Sequence, residues 1–451
     1  MRYLPHTEQE IRQMLDTVGL QSVDALFAPI PEAARLGRDL SVPVALSEPQ
    51  LMKHMSDLAA QNVGASMLSF LGGGNYAHHI PPAVDQLLLR SEFYTAYTPY
   101  QPEVSQGTLQ AIWEFQTIVS ELMGLPLANA SMYDGATAAA EGAQMARRLT
   151  KRVRILVSGC VHPDYRDVIR TYLSSQDEAA YVDIPAGPDG CYDLAALHHS
   201  LDETVAAVVV GHPSFFGGMK DLTPLTEAAH ALGALVVSST TEPYALALVK
   251  PPGEMGVDIA TGEGQALASG PNFGGPGVGL FACREDRNYL QQLPGRICGE
   301  TVDKNGERGF VLTLSTREQH IRRERATSNI CTNQGLLALS LTIRVSMLGK
   351  QGFIQTAELC LAKANYLERG ILALDGFKKS FPGCPSFNEF AVSVPGGDAA
   401  RVHSRLREQS IIPGLNLGRV DAKLKGDLLF AVTERHTRED LDRTIAALAT
   451  M

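Results

Sequence analysis

The sequence predicts an α/β fold in which a large, mostly parallel sheet is followed by a small α+β domain at the C-terminal end. Three observations lead to this prediction. Between residues 154 and 238, short runs rich in valine and isoleucine alternate with helix-like segments, a pattern typical of repeated β–α–β units. A glycine-rich stretch at residues 261–279 then separates two further short apolar runs. After residue 376, two strand-like and two helix-like segments alternate within a short length of chain.

Length, charge and cysteine content indicate a globular protein with more than one domain. The 451 residues exceed the size at which a single hydrophobic core keeps growing. The formal net charge of -10 argues against a nucleic-acid surface, and no apolar run approaches the roughly 20 residues that span a bilayer. The N-terminal residues are polar and predict no secretion signal, and the seven cysteines include no CxxC pair. We therefore expect a cytoplasmic protein with reduced thiols that binds no nucleic acid, membrane or metal.

We predict three regions: an N-terminal helical arm at residues 1–90, a large α/β domain at 91–330 and an α+β domain at 331–451. In the arm, Thr7 and Ser47 are expected to cap helices at 7–19 and 47–60. The strands predicted in the large domain lie at 155–158, 181–184, 205–210, 234–238, 257–260 and 278–283, and the helices at 107–124, 162–173, 194–201 and 222–232. The C-terminal region is predicted to contain helices at 334–348, 354–374, 398–409 and 438–448, and strands at 389–394 and 428–432.

Residues 93–107 form an extended, aromatic segment. Pro99 and Pro102 hold the residues before them in extended conformations, so the segment is stiff. Its tyrosines are either core or interface aromatics or the wall of a ligand pocket, and the sequence supports both interpretations about equally. The candidate functional side chains of this segment are Tyr97, Tyr100, Gln101, Glu103, Ser105 and Gln106.

A helix predicted to begin near residue 135 is a candidate anion site. Free backbone amides and the helix dipole at such an end bind phosphate groups. A simple capping turn would have the same residues, and the sequence leaves both interpretations open. The turn consists of Asp134, Gly135, Ala136 and Thr137.

Other polar residues follow predicted strands, at the edge where open α/β sheets bind ligands. His162, His212 and Glu242 each stand directly before a proline, although an ordinary loop also accounts for each of them. The three glycines at 72–74 lack the Gly-Lys-Ser/Thr of a phosphate loop. We therefore expect this loop to pack against a neighbouring segment, with ligand contact as the alternative.

The glycine-rich stretch 261–279 lies where a ligand would bind, yet it contains no amine. From residue 225 to residue 284 the only lysine is Lys250, which stands in a Lys-Pro-Pro turn. Chemistry that needs an amine in this loop is therefore excluded. Residues 296–331 are polar and arginine-rich, including the run from Arg317 to Arg325, and predict a solvated or inter-subunit charged face.

Four long strings, at residues 92–110, 127–143, 262–279 and 308–334, closely resemble the glycine decarboxylase family, the P-protein of the glycine cleavage system. The resemblance covers nearly the whole chain. It implies the aspartate-aminotransferase-like fold, type I of the pyridoxal-phosphate enzymes. The chain length resembles that of subunit 1 (alpha) of the two-subunit form of this family.

In the catalytic half of that family, a lysine ahead of a Gly-Gly-Pro-Gly turn forms a Schiff base with the cofactor. Alignment of this turn with Gly274–Gly277 places Gln265 at the lysine position. An amide nitrogen is neither nucleophilic nor basic, because its lone pair is delocalised into the carbonyl. Gln265 therefore forms no internal aldimine and shuttles no proton, and we expect the chain to be inactive alone.

The resemblance further implies a role as partner of a lysine-bearing beta subunit in an α2β2 heterotetramer. Pyridoxal phosphate is expected covalently on that partner, and the assembly is a glycine dehydrogenase, an oxidoreductase. It decarboxylates glycine and passes the aminomethyl group to the lipoyl arm of the carrier H-protein. We expect the segment from Tyr97 to Gln106 to complete the partner's active site.

The resemblance also implies remnants of a cofactor pocket in this chain. Asp134–Thr137 matches the phosphate turn, and His162 matches a ring that stacks on the cofactor. The strand that would supply an aspartate to the pyridine nitrogen carries none. Two alternatives remain: a docking subunit without a chemical role, and an independent pyridoxal-phosphate enzyme that uses Lys220 or Lys250.

Overall fold

The structure, a computed structural model, describes residues 5–94, 97–174, 180–313, 321, 323–326, 330 and 332–451. The chain divides into two compact units, Met1–Val63 and Gly64–Met451. Within the described ranges, no helix is both long enough and apolar enough to cross a membrane.

The helices and strands are numbered here in chain order. The helices are α1 Glu8–Val18, α2 Glu48–Ala59, α3 Pro82–Leu88, α4 Ser91–Tyr94, α5 Gln106–Met123, α6 Gly135–Thr150, α7 Pro163–Ser174, α8 Leu194–Ser200, α9 Thr223–Ala231, α10 Gln265–Ala268, α11 Arg287–Gln292, α12 Gly335–Leu372, α13 Ala399–Glu408 and α14 Arg438–Leu448. The strands are β1 Leu68–Ser69, β2 Leu127–Ala128, β3 Arg154–Ser158, β4 Tyr181–Ile184, β5 Val205–Gly211, β6 Leu235–Thr240, β7 Ile259–Glu263, β8 Gly279–Cys283, β9 Ile297–Val302, β10 Arg308–Thr313, β11 Lys378–Lys379, β12 Glu389–Ser393, β13 Ile411–Ile412, β14 Leu415–Asn416 and β15 Asp427–Ala431.

The first unit contains α1 and α2. Thr7 forms a capping box with Glu10 at the start of α1, and Ser47 forms one with Gln50 at the start of α2, so both predicted caps are confirmed. None of the residues described in this unit is buried. Its helices therefore have no hydrophobic core of their own.

A seven-stranded sheet forms the centre of the second unit, in the order β2-β8-β7-β6-β5-β3-β4. The strands β4, β3, β5, β6 and β7 run parallel, while β8 and β2 join antiparallel at one edge. Every residue of β5 is buried, as expected for a parallel strand covered by helices on both faces. Val208 and Val210 pack into the core on one face, and Val209 packs into the core on the other. The predicted α/β class is therefore confirmed.

A four-stranded antiparallel sheet, in the order β11-β12-β15-β14, lies in the C-terminal part of the chain. Phe390, Val392 and Phe430 belong to the core that this sheet shares with α13 and α14. Helix α12 precedes it and is interrupted at Gly349, whose φ of 61° and ψ of 177° are not helical. The two helices predicted for this region lie on either side of that interruption.

Strands β9 and β10 form an antiparallel hairpin that the sequence analysis does not predict. Arg308 and Glu300 form an ion pair at 2.8 Å toward the exposed end of the hairpin, whereas Cys298 and Phe310 pack against α5. Burial in β9 falls from one end of the strand to the other and does not alternate, so the period-two signal of a half-buried strand is absent. Residues 317–320 and 322 of the arginine-rich run lie outside the described residues, so the role of that run stays a prediction.

Candidate functional site

The carboxyl ends of the parallel strands form the candidate site. His162 follows β3, Glu242 follows β6 and Gln265 follows β7. Hydrogen bonds connect the segment 72–78 to all three of these residues. The site therefore lies at the edge where open α/β sheets bind ligands, and a segment from earlier in the chain covers it.

The turn before α6 is a capping box. The Thr137 amide donates to Asp134 Oδ1 at 2.7 Å, and the Thr137 hydroxyl accepts from the Asp134 amide at 3.3 Å. The Gly135 amide donates to Glu263 Oε2 at 2.8 Å. Ala136 packs against the core beneath α6. Of the two interpretations left open by the sequence, this geometry supports the capping turn.

Glu263 places an acidic side chain at this helix N-terminus. Its carboxylate accepts hydrogen bonds from three backbone amides, from Gly135 at 2.8 Å and from Gln265 and Val278 at 3.0 Å each. Burial raises the pKa of Glu263 to about 7, although the backbone donors act in the opposite direction. No motif or periodicity in the sequence identifies this residue. Its only signal there is an acid at the end of a strand, two positions before Gln265.

Both functional groups of the Gln265 side chain are engaged by backbone. Its carbonyl oxygen accepts from the Tyr76 amide at 3.0 Å, and its Nε2 donates to the carbonyl oxygens of Tyr76 at 3.2 Å and Ser269 at 2.7 Å. The side chain is buried. Gln265 therefore holds two segments together at the position where the family resemblance places a lysine.

The glycine loop 72–74 packs directly against His162. The Gly73 carbonyl oxygen lies 2.6 Å from His162 Nε2, and a Cβ added to Gly74, whose φ is +100°, would lie 2.9 Å from the same ring. The imidazole also contacts the rings of Tyr165 and Phe215. Burial lowers the pKa of His162. The loop thus packs against a neighbour, as the sequence analysis favours.

Tyr76 extends this closure into the C-terminal sheet. Its side chain is buried, and its hydroxyl donates to Glu389 Oε2 at 2.6 Å. The other Glu389 oxygen accepts from the Gly73 amide at 2.7 Å. Burial raises the pKa of Glu389 to about 7, and the nearby charge of Glu242 acts in the same direction.

A second buried cluster surrounds His78. Its Nε2 lies 2.9 Å from Glu242 Oε2, and its Nδ1 lies 2.6 Å from Glu434 Oε2. Burial opposes the charged imidazole, but the charge of Glu242 and hydrogen bonds raise the pKa of His78 well above its ordinary value. Burial also opposes ionisation of Glu434, yet its hydrogen bond to His78 lowers the pKa of Glu434 to about 2. His78 is therefore a buried cation between two carboxylates.

The same cluster contains a possible metal-ligand set. Among the described residues, the ligand atoms of His78, Cys360 and Glu434 alone lie together, within 4.8 Å of one another. Both ring nitrogens of His78 are already paired with carboxylates. These contacts explain the cluster without an ion, and the absence of a metal stays a prediction.

The contacts at the strand ends do not fit pyridoxal phosphate on this chain. The Gly135 amide that would meet a phosphate is paired with the Glu263 carboxyl group, which would compete with an anion. The position expected for a Schiff-base amine holds Gln265, paired with Tyr76. The face of the sheet edge near His162 is covered by the glycine loop.

The aromatic segment lies on the surface. Tyr97 is 83% exposed and Tyr100 is 56% exposed, and Gln101 and Glu103 are also exposed. The guanidinium of Arg296 lies 4.8 Å from the centre of the Tyr100 ring. Within the described part of the chain, the Glu103 carboxylate makes no hydrogen bond or ion pair.

The C-terminal end of this segment is fixed to the β9–β10 hairpin. Gln106 Nε2 donates to the carbonyl oxygens of Pro102 at 2.7 Å and Phe310 at 2.9 Å, and its Oε1 accepts from the Phe310 amide at 2.8 Å. Ser105 is the residue before α5, and its side chain makes no capping hydrogen bond there. Gln106 thus holds the segment in place, while Tyr97, Tyr100, Gln101 and Glu103 before it are exposed.

A cavity of about 310 Å³ opens beside the segment. Part of its wall is aromatic and part is polar, which agrees with the ligand-pocket interpretation of the tyrosines. The residues that line it include Phe93, Tyr94, Tyr97, Tyr133, Asn333 and Gln334.

Comparison with known sequences identifies close relatives. A sequence model of the family described as "Glycine cleavage system P-protein" matches residues 1–448. The chain is 59% identical to "Probable glycine dehydrogenase (decarboxylating) subunit 1" of Sorangium cellulosum, over 100% of this chain and 99% of the relative. A relative with the same description from Desulforamulus reducens is 47% identical over 99% of both chains.

Comparison with solved structures gives the same result. A glycine decarboxylase (P-protein) of the glycine cleavage system, solved in inhibitor-bound form, has a TM-score of 0.89 and 44% identity and covers 100% of both chains. A sphingosine-1-phosphate lyase from Burkholderia pseudomallei has a TM-score of 0.64 at 15% identity and covers 93% of this chain and 94% of its own. The similarity to the sphingosine-1-phosphate lyase, at this low identity, shows the fold alone. Together they confirm the predicted fold type I of the pyridoxal-phosphate enzymes.

The variant Gln265→Lys tests whether the strand ends are closed to the cofactor. We expect no pyridoxal-phosphate adduct at position 265, because Glu263 still pairs with the Gly135 amide, and the hydrogen bonds of Gly73 and Tyr76 to Glu389 still hold the loop over the strand ends. The measurement is borohydride reduction with the cofactor, followed by peptide mass spectrometry. Gln265→Ala serves as the control, because it loses the same hydrogen bonds without adding an amine. An adduct mapped to residue 265 would contradict the assignment.

The pH dependence of stability tests the burial of Glu263. Its pKa rises from the ordinary 4.5 to about 7 on folding, so the native state retains a proton that the unfolded chain releases. This contribution is fully present below pH 4.5 and is lost as the pH rises through 7. Relative to Glu263→Gln, which does not titrate, the unfolding free energy of the wild-type protein should fall by about 3 kcal/mol across this range. If the unfolding free energies of the two proteins, from chemical denaturation, change in parallel with pH, folding does not raise the pKa of Glu263.

Proposed function

The chain belongs to the glycine cleavage system P-protein family, and on that premise we propose that it is the non-catalytic subunit of a two-subunit glycine dehydrogenase (decarboxylating). The observation that carries the proposal is the pairing of Gln265 with the Tyr76 backbone, where the family resemblance places the Schiff-base lysine. An amide in this position offers no nucleophile and no base. The chain alone is therefore inactive.

The catalytic centre belongs to a lysine-bearing partner subunit, which holds pyridoxal phosphate covalently in an α2β2 assembly in the cytoplasm. The cofactor supplies the electron sink for glycine decarboxylation, and the aminomethyl group passes to the lipoyl arm of the H-protein. Two features support this division. Glu263 occupies the helix N-terminus at which a phosphate would bind, and the glycine loop covers His162. The residues Asp134 to Thr137, His162 and Gln265 are on this view remnants of a cofactor pocket.

The contribution of this chain to the reaction comes from the segment 97–106. Tyr97 and Tyr100 present large aromatic surfaces to solvent, which in a soluble protein marks a surface covered by a partner. Glu103, which lies between Tyr100 and Ser105 in the sequence, is also exposed. It positions the amino group of glycine, or it relays a proton, at the partner's catalytic centre. Gln106, which is bonded to the hairpin backbone, fixes the geometry of the segment.

Two other functions are less well supported. An independent enzyme would need Lys220 or Lys250 as its amine, but Lys220 Nζ is paired with Asp189 at 2.7 Å, and Lys250 is exposed on a proline turn. Neither lysine belongs to the network around Gln265. A docking subunit without a chemical role would leave the exposed acid Glu103 unexplained.

Substitution of Glu103 in the reconstituted two-subunit enzyme tests the proposal. We expect Glu103→Gln to lower kcat by about 100-fold or more while the assembly still forms, because a positioned acid or base contributes that much. Glycine decarboxylation and sedimentation velocity measure the two properties. Val104→Ala is the matched control, since Val104 is a neighbouring side chain that is 79% exposed. Full activity of Glu103→Gln would favour the docking subunit instead.

A further inference from the structure

Two cysteines from distant parts of the chain lie in direct contact. The Sγ atoms of Cys191 and Cys384 are 3.1 Å apart, although 193 positions separate them in the sequence. Both residues are nearly buried. Among the described residues, no other two thiols form a hydrogen bond with each other. The function proposed above makes no use of this pair.

Local structure fixes each thiol in its position. Cys191 closes a short turn in which the Gly187 amide donates to the Cys191 carbonyl oxygen at 2.8 Å. On the other side, the Cys384 thiol donates to the Met219 carbonyl oxygen at 2.9 Å, and the Met219 amide donates to Pro385 at 2.8 Å. A Cβ on Gly218 would lie 2.5 Å from Cys191 Sγ. The glycine therefore leaves the space that the sulfur occupies.

The surroundings distinguish the two thiols. The hydrogen bond with Cys191 lowers the pKa of the Cys384 thiol and the charge of Lys220 acts in the same direction, although burial and the charge of Asp189 oppose them. The hydrogen bond to Cys384 raises the pKa of the Cys191 thiol, and burial acts in the same direction. Cys384 is also the more exposed of the two residues, at 8% against 2%, so it is the sulfur that meets a peroxide first and attacks as a thiolate.

Solvent reaches the immediate neighbourhood of the pair. A cavity of about 380 Å³ is lined by Tyr192, which follows Cys191, and by Gly383, which precedes Cys384. Lys220 and Asp189 line the same cavity and form an ion pair at 2.7 Å. A smaller cavity of about 10 Å³ is lined by Cys384 itself and shares Asp189 with the larger one, so a water-sized oxidant fits beside this sulfur.

We propose that Cys191 and Cys384 are an oxidative modification site at which a peroxide produces a disulfide between the large sheet domain and the C-terminal region. The Cys384 thiolate attacks one peroxide oxygen, the O–O bond breaks, and a sulfenic acid and hydroxide form. The Cys191 sulfur then attacks the Cys384 sulfur, the S–O bond breaks and water leaves. In total, two thiols lose two electrons and two protons, and one hydrogen peroxide becomes two water molecules.

The disulfide joins elements that already pack together. Phe216, beside the Gly218 loop, lies 4.5 Å from Phe381 between ring centres, and Gly218 pairs with Ser386 in an isolated β-bridge. The new bond would close a loop of nearly two hundred residues. Such a cross-link restricts the unfolded chain and raises the thermal stability of the oxidised protein.

Peptide mapping of the full-length protein after hydrogen peroxide treatment tests the proposal without a substitution. Free thiols are alkylated, and the protein is digested without reduction. We expect a linked peptide pair that contains Cys191 and Cys384, and its loss after dithiothreitol. Thiols that both remain open to alkylation, or a sulfinic acid at Cys384 without a link, would overturn the proposal.

Thermal unfolding gives a second, independent readout. Oxidation should raise the Tm of the wild-type protein by a few degrees, and dithiothreitol should reverse the change. Cys191→Ser and Cys384→Ser should each abolish the rise. Cys298→Ser should keep it, because serine retains the hydrogen bond to the Leu109 carbonyl oxygen that Cys298 makes at 3.1 Å. An equal rise in the Cys384→Ser variant would assign the effect to another site.

Discussion

The pairing of the Gln265 side chain with the Tyr76 backbone is the contact on which the rest of the site depends. A buried amide must satisfy both its donor and its acceptor, and Gln265 does so with a residue 189 positions away in the sequence. This contact holds the segment 72–78 over the strand ends, where Gly73 meets His162 and the Tyr76 hydroxyl meets Glu389. The ligand-binding edge of a parallel sheet is thereby closed by the chain itself.

The closed edge and the exposed aromatic segment are complementary features of one molecule. The side chains of Glu242, Glu263 and Gln265 at the strand ends are paired internally, so their chemistry contributes to stability and to the position of the loops. The segment 97–106 has the opposite character, because its rings and its acid face outward from a base fixed by Gln106. Under the proposed function, the closed sheet edge explains why this subunit has no catalytic activity of its own. The exposed aromatic segment explains how the subunit contributes to the active site of its partner.

The pattern of apolar runs in the sequence predicts the parallel sheet well, since β5 is buried on both faces and is apolar along its whole length. It does not predict the β9–β10 hairpin, in which burial falls along β9 toward the exposed end that carries Glu300 and Arg308. The candidate site is predicted only in part. The absence of a lysine is visible in the sequence, but the role of Glu263 depends on three backbone amides that only the folded chain brings together. The contact between Cys191 and Cys384 is equally long-range and has no local signal.

The central claim is that this chain closes its own cofactor position and leaves the chemistry to a partner. The most direct test is borohydride reduction of the assembled two-subunit enzyme in the presence of pyridoxal phosphate and in the absence of glycine. Mass spectrometry of both chains then locates the adduct. We expect a reduced adduct on one lysine of the partner and none on this chain. A stoichiometric adduct on a lysine of this chain, such as Lys220, would contradict it.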